Sequence, residues 1–586
     1  MSENHPAKEK VTYLGKVDFR NKQLTFGIKE KDRTRHTYVI GKTGMGKSTL
    51  LENMIIQDVN NGEGICVIDP HGSLAEKLLD HIPESRVKDV IYFAPFDVEA
   101  PIGLNVLEKV EKEKRHLVAN GIMAAFKKIW VDAWSARMEY ILTNIILALL
   151  ENDNQSLLGI NRMLTDKEYR KFIVSNVTDP TVKDFWEKEY ASYTDKFAAE
   201  AAPAIQNKVG QFVGNPLIRN IVGQQKTSID LRNAMDTKKI LIVNLSKGKV
   251  GEGNANLIGS LLITKIYLAA MSRADVGPYE LEQLPPFYVY VDEFQNFANE
   301  SFANILSEAR KYNLALTVAH QYVEQMTDEV KAAVFGNVGT MIAFRVGATD
   351  AEIFEKEFAP YFILDDIVNL SAYQIYLRLM IDGVGSKPFS AHTLDPIPRP
   401  SHSFADSVIA SSRLRYGKPI AEVEAEVAEF YKPVIKVEAP RKENTPRRDE
   451  KQVPVREIKK DTPLPPQRNP RNEEPVRDMG EERRREENRG RDGGRDSGRR
   501  NEGRRDSKEQ SRNEVAQELP KTFDDKPALS LKEALARAMG EKKESTTNVE
   551  EKKILEDPLY KEAKESSKKE SKEISEELLR KIIGEE

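Results

Sequence analysis

The sequence of 586 residues holds one cysteine, Cys66, and eight histidines with no paired metal-ligand spacing. A single thiol excludes an intramolecular disulfide framework and any cysteine-based zinc site. The histidine pattern supports no structural metal. This usage suits a reducing cytoplasm. Cys66 lies in an apolar run, Ile65 to Ile68, and reads as a small core residue. Long apolar runs are also missing. The longest, Tyr140 to Leu150, is too short for a bilayer and is interrupted by Thr143 and Asn144. No transmembrane segment is therefore expected. Met1 to Pro6 lacks the apolar core of a signal peptide. Excess charge is scarce too. Lys and Arg total 89 against 93 Asp and Glu, a net charge of −4, so the whole chain is not a generic polyanion binder.

What is present is a phosphate loop. Gly41-Lys42-Thr43-Gly44-Met45-Gly46-Lys47-Ser48 fits G-x-x-x-x-G-K-[ST]. His36 to Ile40 before it reads as a strand. After it, Leu50, Leu51, Met54 and Ile55 fall at helical spacing. A glycine-rich turn arising by chance would not need this strand–loop–helix context. Without Cβ atoms, Gly41, Gly44 and Gly46 let the backbone curl around phosphate with its N–H groups inward. The helix N-terminus adds positive potential. Lys47 is expected on the β- and γ-phosphates and Ser48 on Mg²⁺. Gly41 to Thr49 is the expected ATP-binding set.

Around this loop the chain divides by texture. Residues 1–107 read as a small β-rich lead-in and the first part of a nucleotide domain. A second buried strand, Ile65 to Ile68, ends in Asp69-Pro70-His71-Gly72. Asp69 stands where open α/β sheets place ligands, and equally where Asp-Pro makes a turn. Residues 108–236 carry helical periodicity with few strand signals and read as an inserted all-α domain. Over 237–400 strands return: Lys239 to Leu245, Phe287 to Val291, Leu314 to Ala319 and Gly339 to Arg345, alternating with helices. That alternation predicts an α/β fold with a mostly parallel sheet. Residues 401–437 hold one helical stretch with Ile420, Val423, Val427 and Phe430 on one face. Residues 438–586 are rich in Pro, Arg and Glu and read as a disordered charged tail. Its Arg-Gly part suits nucleic acid or a solvated linker. Two islands, around Leu531 and Leu535 and around Ile574, Leu578 and Ile582, have the spacing of docking helices or of transient ones.

A phosphate loop does not by itself separate kinases, GTPases and ATPases. Val289-Tyr290-Val291 runs into Asp292-Glu293. Asp292 suits a Mg²⁺-holding acid and Glu293 a general base for water. The alternative is an acidic cap for the next helix. Gln321 ends the neighbouring strand, where glutamine can sense γ-phosphate and orient water. A guanine-specificity loop is missing: Asn207-Lys208-Val209-Gly210 lacks the required Asp.

Taken with Val67 to Gly72, Val291 to Gln295, Glu308 to Tyr312 and Ala319 to Gln321, the loop resembles the HerA/FtsK superfamily. The likeness is greatest to the TraG/TraD-type coupling ATPases of type IV secretion and conjugation, over about residues 25 to 400. The resemblance implies a RecA-like P-loop fold and a hexameric ring with ATP between subunits and DNA in the channel. It gives nucleotide roles to Lys47 and Ser48, metal and base roles to Asp292 and Glu293, and a sensor role to Gln321. Arg310 takes the place of a trans-acting arginine finger. Arg345, which ends a strand near the expected site, is a second candidate. Such coupling proteins usually carry N-terminal membrane helices. None is legible here, so a cytoplasmic protein is expected, meeting the membrane through a partner on its tail. The expected function is an ATP-driven DNA translocase, with single- or double-stranded DNA left open. A protein-secretion ATPase that does not act on DNA and an ATP-gated assembly module are the rivals.

Overall fold

The computed structural model describes residues 10–433 apart from 20–21, 131–133 and 194. The tail readings at 438–586, including both helical islands, lie outside the described residues. The strands are β1 (Val11–Phe19), β2 (Lys22–Lys29), β3 (Thr37–Ile40), β4 (Gly64–Asp69) and β5 (Val90–Phe93). Next come β6 (Ile240–Asn244), β7 (Phe287–Val291), β8 (Leu314–His320) and β9 (Thr340–Ala343). The last four are β10 (Gln374–Arg378), β11 (Met380–Ile381), β12 (Val384–Gly385) and β13 (Phe389–Thr393). Strands β11 and β12 form a small hairpin. The others make one sheet in the order β2-β1-β13-β10-β9-β3-β8-β7-β4-β6-β5.

From β9 to β5 every pairing is parallel. From β9 to β2 every pairing is antiparallel. The sequence explains the division. Every residue of β3, β4, β6, β7 and β8 is buried, as befits parallel strands covered on both faces. By contrast β13 alternates buried and exposed residues, the pattern of a half-covered antiparallel strand. Side chains of one strand point alternately to the two faces. Ile65 and Val67 join Leu50 and Met54 of the helix Lys47–Asn60 in one core. Cys66 and Ile68 join Leu257 and Leu261 of the helix Glu252–Met271 in the other. Burial pushes the Cys66 thiol well above its ordinary range, in keeping with a core role.

Between β5 and β6 the regular elements among the described residues are helical, among them Arg115–Ile129, Ala136–Leu150 and Asp195–Gly214. The helix Glu252–Met271, extended to Asp275 by a final turn, is long and apolar enough to cross a membrane by length and composition. It is a better match to that test than the Tyr140–Leu150 run that the sequence singled out. Its Leu257, Ile258, Leu261, Leu262 and Ile266 are buried against the sheet and helix Arg115–Ile129, so it serves as a core helix.

One buried polar network ties the sheet to the phosphate-loop helix. Arg33 donates to both carboxylate oxygens of Asp58, at 2.7 and 2.8 Å. The Tyr290 hydroxyl, from β7, donates to Asp58 at 2.6 Å and accepts from Arg33 at 2.6 Å. The guanidinium carbon sits 3.7 Å from the centre of the Tyr288 ring. A bidentate pair with its remaining oxygens satisfied is the condition for burying two charges.

Among the described residues past Ser401 there are two helices where the sequence suggested one over 401–437, Ala405–Tyr416 and Ile420–Phe430. The first buries only Val408 and Ser412, too thin a stripe to read by period. The first helix packs on β5, with the Tyr92 N–H donating to Ser412 at 2.9 Å and Arg413 paired to Asp97 at 2.7 Å. The second ends on Arg162, which donates to the carbonyls of Phe430 and Lys432.

Candidate active site

The parallel strands end at one edge of the sheet, and the candidate groups collect there. Backbone bonds to three neighbouring strands or strand ends brace the phosphate loop. Gly41 N–H donates to the His320 carbonyl at 3.3 Å, Lys42 N–H to Arg345 at 2.8 Å, and Tyr373 N–H to Met45 at 2.9 Å. Gly44 and Gly46 have φ of +79° and +116°, conformations that side chains with a Cβ rarely adopt. The helix Lys47–Asn60 begins directly at the loop. Ser48, Lys42 and Thr43 are exposed and Thr49 is half-buried, whereas Lys47 is buried. The Lys47 ammonium donates to the carbonyls of Gly41 at 2.5 Å and Lys42 at 3.3 Å. Burial lowers its pKa, and Glu293 and Asp292 oppose that shift.

Asp292 and Glu293 follow β7, directly beside β8 and next but one to β3. Both are buried. The Asp292 carboxylate accepts the Glu293 N–H at 3.0 Å. Burial first, then Glu293 and Asp69, push the Asp292 carboxyl up to about 7, with Lys47 opposing. Glu293 has φ of +47°, a left-handed conformation costing about 1–2 kcal/mol for a residue with a Cβ. Asn296 holds it there by donating to its carbonyl at 3.0 Å. Gln295 donates to one Glu293 carboxylate oxygen at 2.6 Å. Gln321 donates to the other, and accepts from the Thr43 hydroxyl at 3.2 Å. The structure therefore joins Thr43, Gln321 and Glu293 into one hydrogen-bonded chain.

Asp69 was open between two readings. Its carboxylate accepts from the N–H groups of His71 at 2.8 Å and Ala75 at 3.0 Å. It shapes the turn and satisfies one free N–H in the first turn of the helix Ser73–Asp80. Its charge still acts on Asp292, and the two carboxylates of Asp292 and Glu293 act on one buried ammonium. That surplus of negative charge fits a divalent cation. No group of three or more metal-ligating side chains exists among the described residues. Mg²⁺ does not require one, because it keeps phosphate oxygens and waters as ligands. Ser48 and Asp292 are the residues that would hold it.

Two arginines were candidates, and they stand at opposite edges of the sheet. Arg345 follows β9 beside its own phosphate loop. Arg310 lies in the turn Ala309–Tyr312 ahead of β8, at the far end of the seven-residue strand that finishes at His320, about 20 Å away at ~3.3 Å per residue. It is exposed and lines an open cleft of about 520 Å³ with Lys31, Asp32, Thr34, Arg35, Lys311, Asp382 and Gly383. Two side chains that the sequence did not single out stand beside these groups. Arg35 shares the cleft with Arg310, and neither makes an ion pair among the described residues. Tyr373 lies against Gly46. No local motif marks either of them, since each is defined by what stands across the fold.

A strand–loop–helix phosphate cradle, with acids at the end of a parallel strand two places along the sheet, defines a P-loop nucleoside-triphosphatase fold of the α/β class. Residues 24–358, more than half of the chain, match the model of the type IV secretion-system coupling protein DNA-binding domain, and the chain belongs to that family. No curated protein matches the chain. Among solved structures, the bacterial conjugative coupling protein TrwBdeltaN70 has 14% identity and a TM-score of 0.48, covering 68% of this chain and 98% of that one. The plasmid coupling protein TrwB with ADP and Mg²⁺ has 15% identity and the same TM-score of 0.48, covering 68% and 98%. VirB4 of Thermoanaerobacter pseudethanolicus has 14% identity and a TM-score of 0.43, covering 66% and 97%.

Proposed function

We propose that the chain hydrolyses ATP with Mg²⁺ at the subunit interfaces of a ring, hexameric by family resemblance, and uses the cycle to move DNA. The observation that carries this reading is the chain of hydrogen bonds from Thr43 through Gln321 to Glu293. It links the place where γ-phosphate would lie to the candidate base. Lys47 exchanges its loop carbonyls for phosphate oxygens. Mg²⁺, when bound with ATP, would supply charge neutralisation to the phosphates. Ser48 and Asp292 would hold that ion. Glu293 takes a proton from water as the water oxygen bonds to the γ-phosphorus. The bond from that phosphorus to the β–γ bridging oxygen breaks, leaving ADP and phosphate. Gln321 couples the presence of γ-phosphate to the orientation of Glu293.

Arg310 acts on the neighbouring subunit's nucleotide, where a guanidinium stabilises charge on the transferred phosphoryl group. Its position at the far edge of its own sheet supports action in trans only. Membership of a coupling protein DNA-binding family supports DNA as the cargo. A cytoplasmic site of action, with a membrane-anchored partner held by the tail, completes the reading.

The test is steady-state ATPase activity with and without single- and double-stranded DNA, with Glu293→Gln as the blank and salt fixed, since DNA affinity falls steeply with salt. DNA stimulation is the expected result and identifies the form gripped. A basal rate indifferent to both DNAs would overturn the DNA part and leave a secretion ATPase. No rate above the blank would overturn hydrolysis.

A further inference from the structure

Tyr373 is held against the phosphate loop by contacts from both directions. Its N–H donates to the Met45 carbonyl at 2.9 Å, and its carbonyl accepts the Thr393 N–H at 2.9 Å. The loop is thereby pinned to the start of β10 and the end of β13. A Cβ built on Gly46 would come within 2.8 Å of Tyr373 Cδ1, so the ring edge rests on the glycine that opens the helix Lys47–Asn60.

Packing does not account for this residue. The residue stays 46% exposed. Among the described residues its hydroxyl has no hydrogen-bond partner and no other aromatic ring stacks on it. Its φ is +65°, a region that is costly for a bulky aromatic residue. A side chain kept half in water on a strained backbone gains little from burial. Strain of this kind gathers at ligand sites.

The sheet order gives the ligand its direction. Gln321 and Glu293, at the ends of β8 and after β7, mark the γ-phosphate end. With β3 carrying the loop, the order β10-β9-β3-β8-β7 puts Tyr373 on the opposite side of the loop. A nucleotide whose triphosphate follows the loop from the Gln321 side sends its nucleoside toward β9 and β10. Phe344, after β9, is buried there and offers no free face. The exposed aromatic face belongs to Tyr373.

We propose that Tyr373 stacks on the base of the bound nucleotide and supplies the part of its affinity that the phosphate loop does not. This rests on the reading of Gly41 to Thr49 as an ATP site. Stacking uses the ring face and not the base edges, so the contact holds ATP and GTP alike.

The experiment compares binding of ATP, GTP and inorganic tripolyphosphate to the full chain and to Tyr373→Phe and Tyr373→Gly, each with Mg²⁺, by calorimetry. Glycine takes φ of +65° without strain, so it removes the ring while leaving the loop's anchor possible. Tyr373→Gly should weaken ATP and GTP about tenfold, the scale of one base–aromatic stack, and leave tripolyphosphate within about twofold. Tyr373→Phe should bind all three as the parent does. The tripolyphosphate affinity doubles as the check that the variant is folded. Equal loss for tripolyphosphate and ATP would overturn the proposal, because the ring would then only shape the loop. Unchanged ATP affinity in Tyr373→Gly would overturn it too. A parent chain that binds tripolyphosphate but gains nothing from the nucleoside would sink the stack and spare the phosphate loop. Binding of none of the three would sink both.

Discussion

The side-chain amide of Gln321 donates to the carboxylate of Glu293, while its carbonyl oxygen accepts from Thr43 of the phosphate loop. Two strand ends and the loop are thus coupled through one residue. Glu293 itself sits in a left-handed conformation, so its carboxylate is aimed by these partners and not by a relaxed backbone.

Glu293→Gln should retain ATP binding and lower kcat by about 100-fold or more, the scale of a positioned general base. Gln321→Ala should also keep ATP affinity within about threefold and lower kcat by about tenfold or more, because the base loses its orientation. Paired binding and turnover measurements check both. Normal turnover in Glu293→Gln would refute the base assignment.

Arg310 lies too far from its own phosphate loop to serve it. Arg310→Ala and Lys47→Ala should each be inactive alone. Mixed together, they should regain part of the activity, since some interfaces then pair an intact loop with an intact arginine. Mass measurement confirms mixed rings. Mixed rings without any regained activity would count against trans action.

Asp58 is buried and holds Arg33 with two charge-assisted bonds. Asp58→Ala leaves that guanidinium buried and unpaired. It should cost about 3–5 kcal/mol of stability, read from the denaturant midpoint. Tyr290→Phe removes one hydroxyl from the same network and should cost less, about 1–2 kcal/mol.

His36 is buried between β8 and the helix Glu300–Glu308. Its Nδ1 accepts the Leu316 N–H at 3.1 Å, so Nε2 carries the proton and donates to the Leu306 carbonyl at 3.1 Å. Burial, with Arg310 adding, lowers its pKa from 6.5 to about 4. Between these values the unfolded chain binds the extra proton and the folded one does not, so acid favours unfolding. The stability that this histidine provides is full above 6.5 and falls as pH drops toward 4. The total loss is about 3 kcal/mol, at ~1.36 kcal/mol for each pKa unit. His36→Asn, which tolerates the local φ of +61°, should remove this part of the acid sensitivity. Urea midpoints between pH 7 and 4 read the difference.

The sequence by itself determined what neighbouring residues spell out. Gly41 to Ser48 carries its own loop, helix start and phosphate chemistry. Fully apolar runs such as Ile65 to Ile68 and Phe287 to Val291 declare parallel strands, because only strands covered on both faces are written that way. The acids of Asp292-Glu293 are legible because they end such a run. Family membership follows from the order of these local motifs.

Tertiary structure alone decided what distant residues do to one another. The strand order puts Gln321 between Thr43 and Glu293, and it separates Arg310 from its own loop by the length of β8. Asp69 turned out to hold backbone N–H groups, which its position at a strand end did not distinguish from ligand binding. The antiparallel strands β10 and β13, and the helix Ala405–Tyr416, carry short or weakly apolar patterns whose burial depends on partners elsewhere. Tyr373 has no local signature. Its role comes from the one register that lays β10 beside β9 and brings its ring onto Gly46.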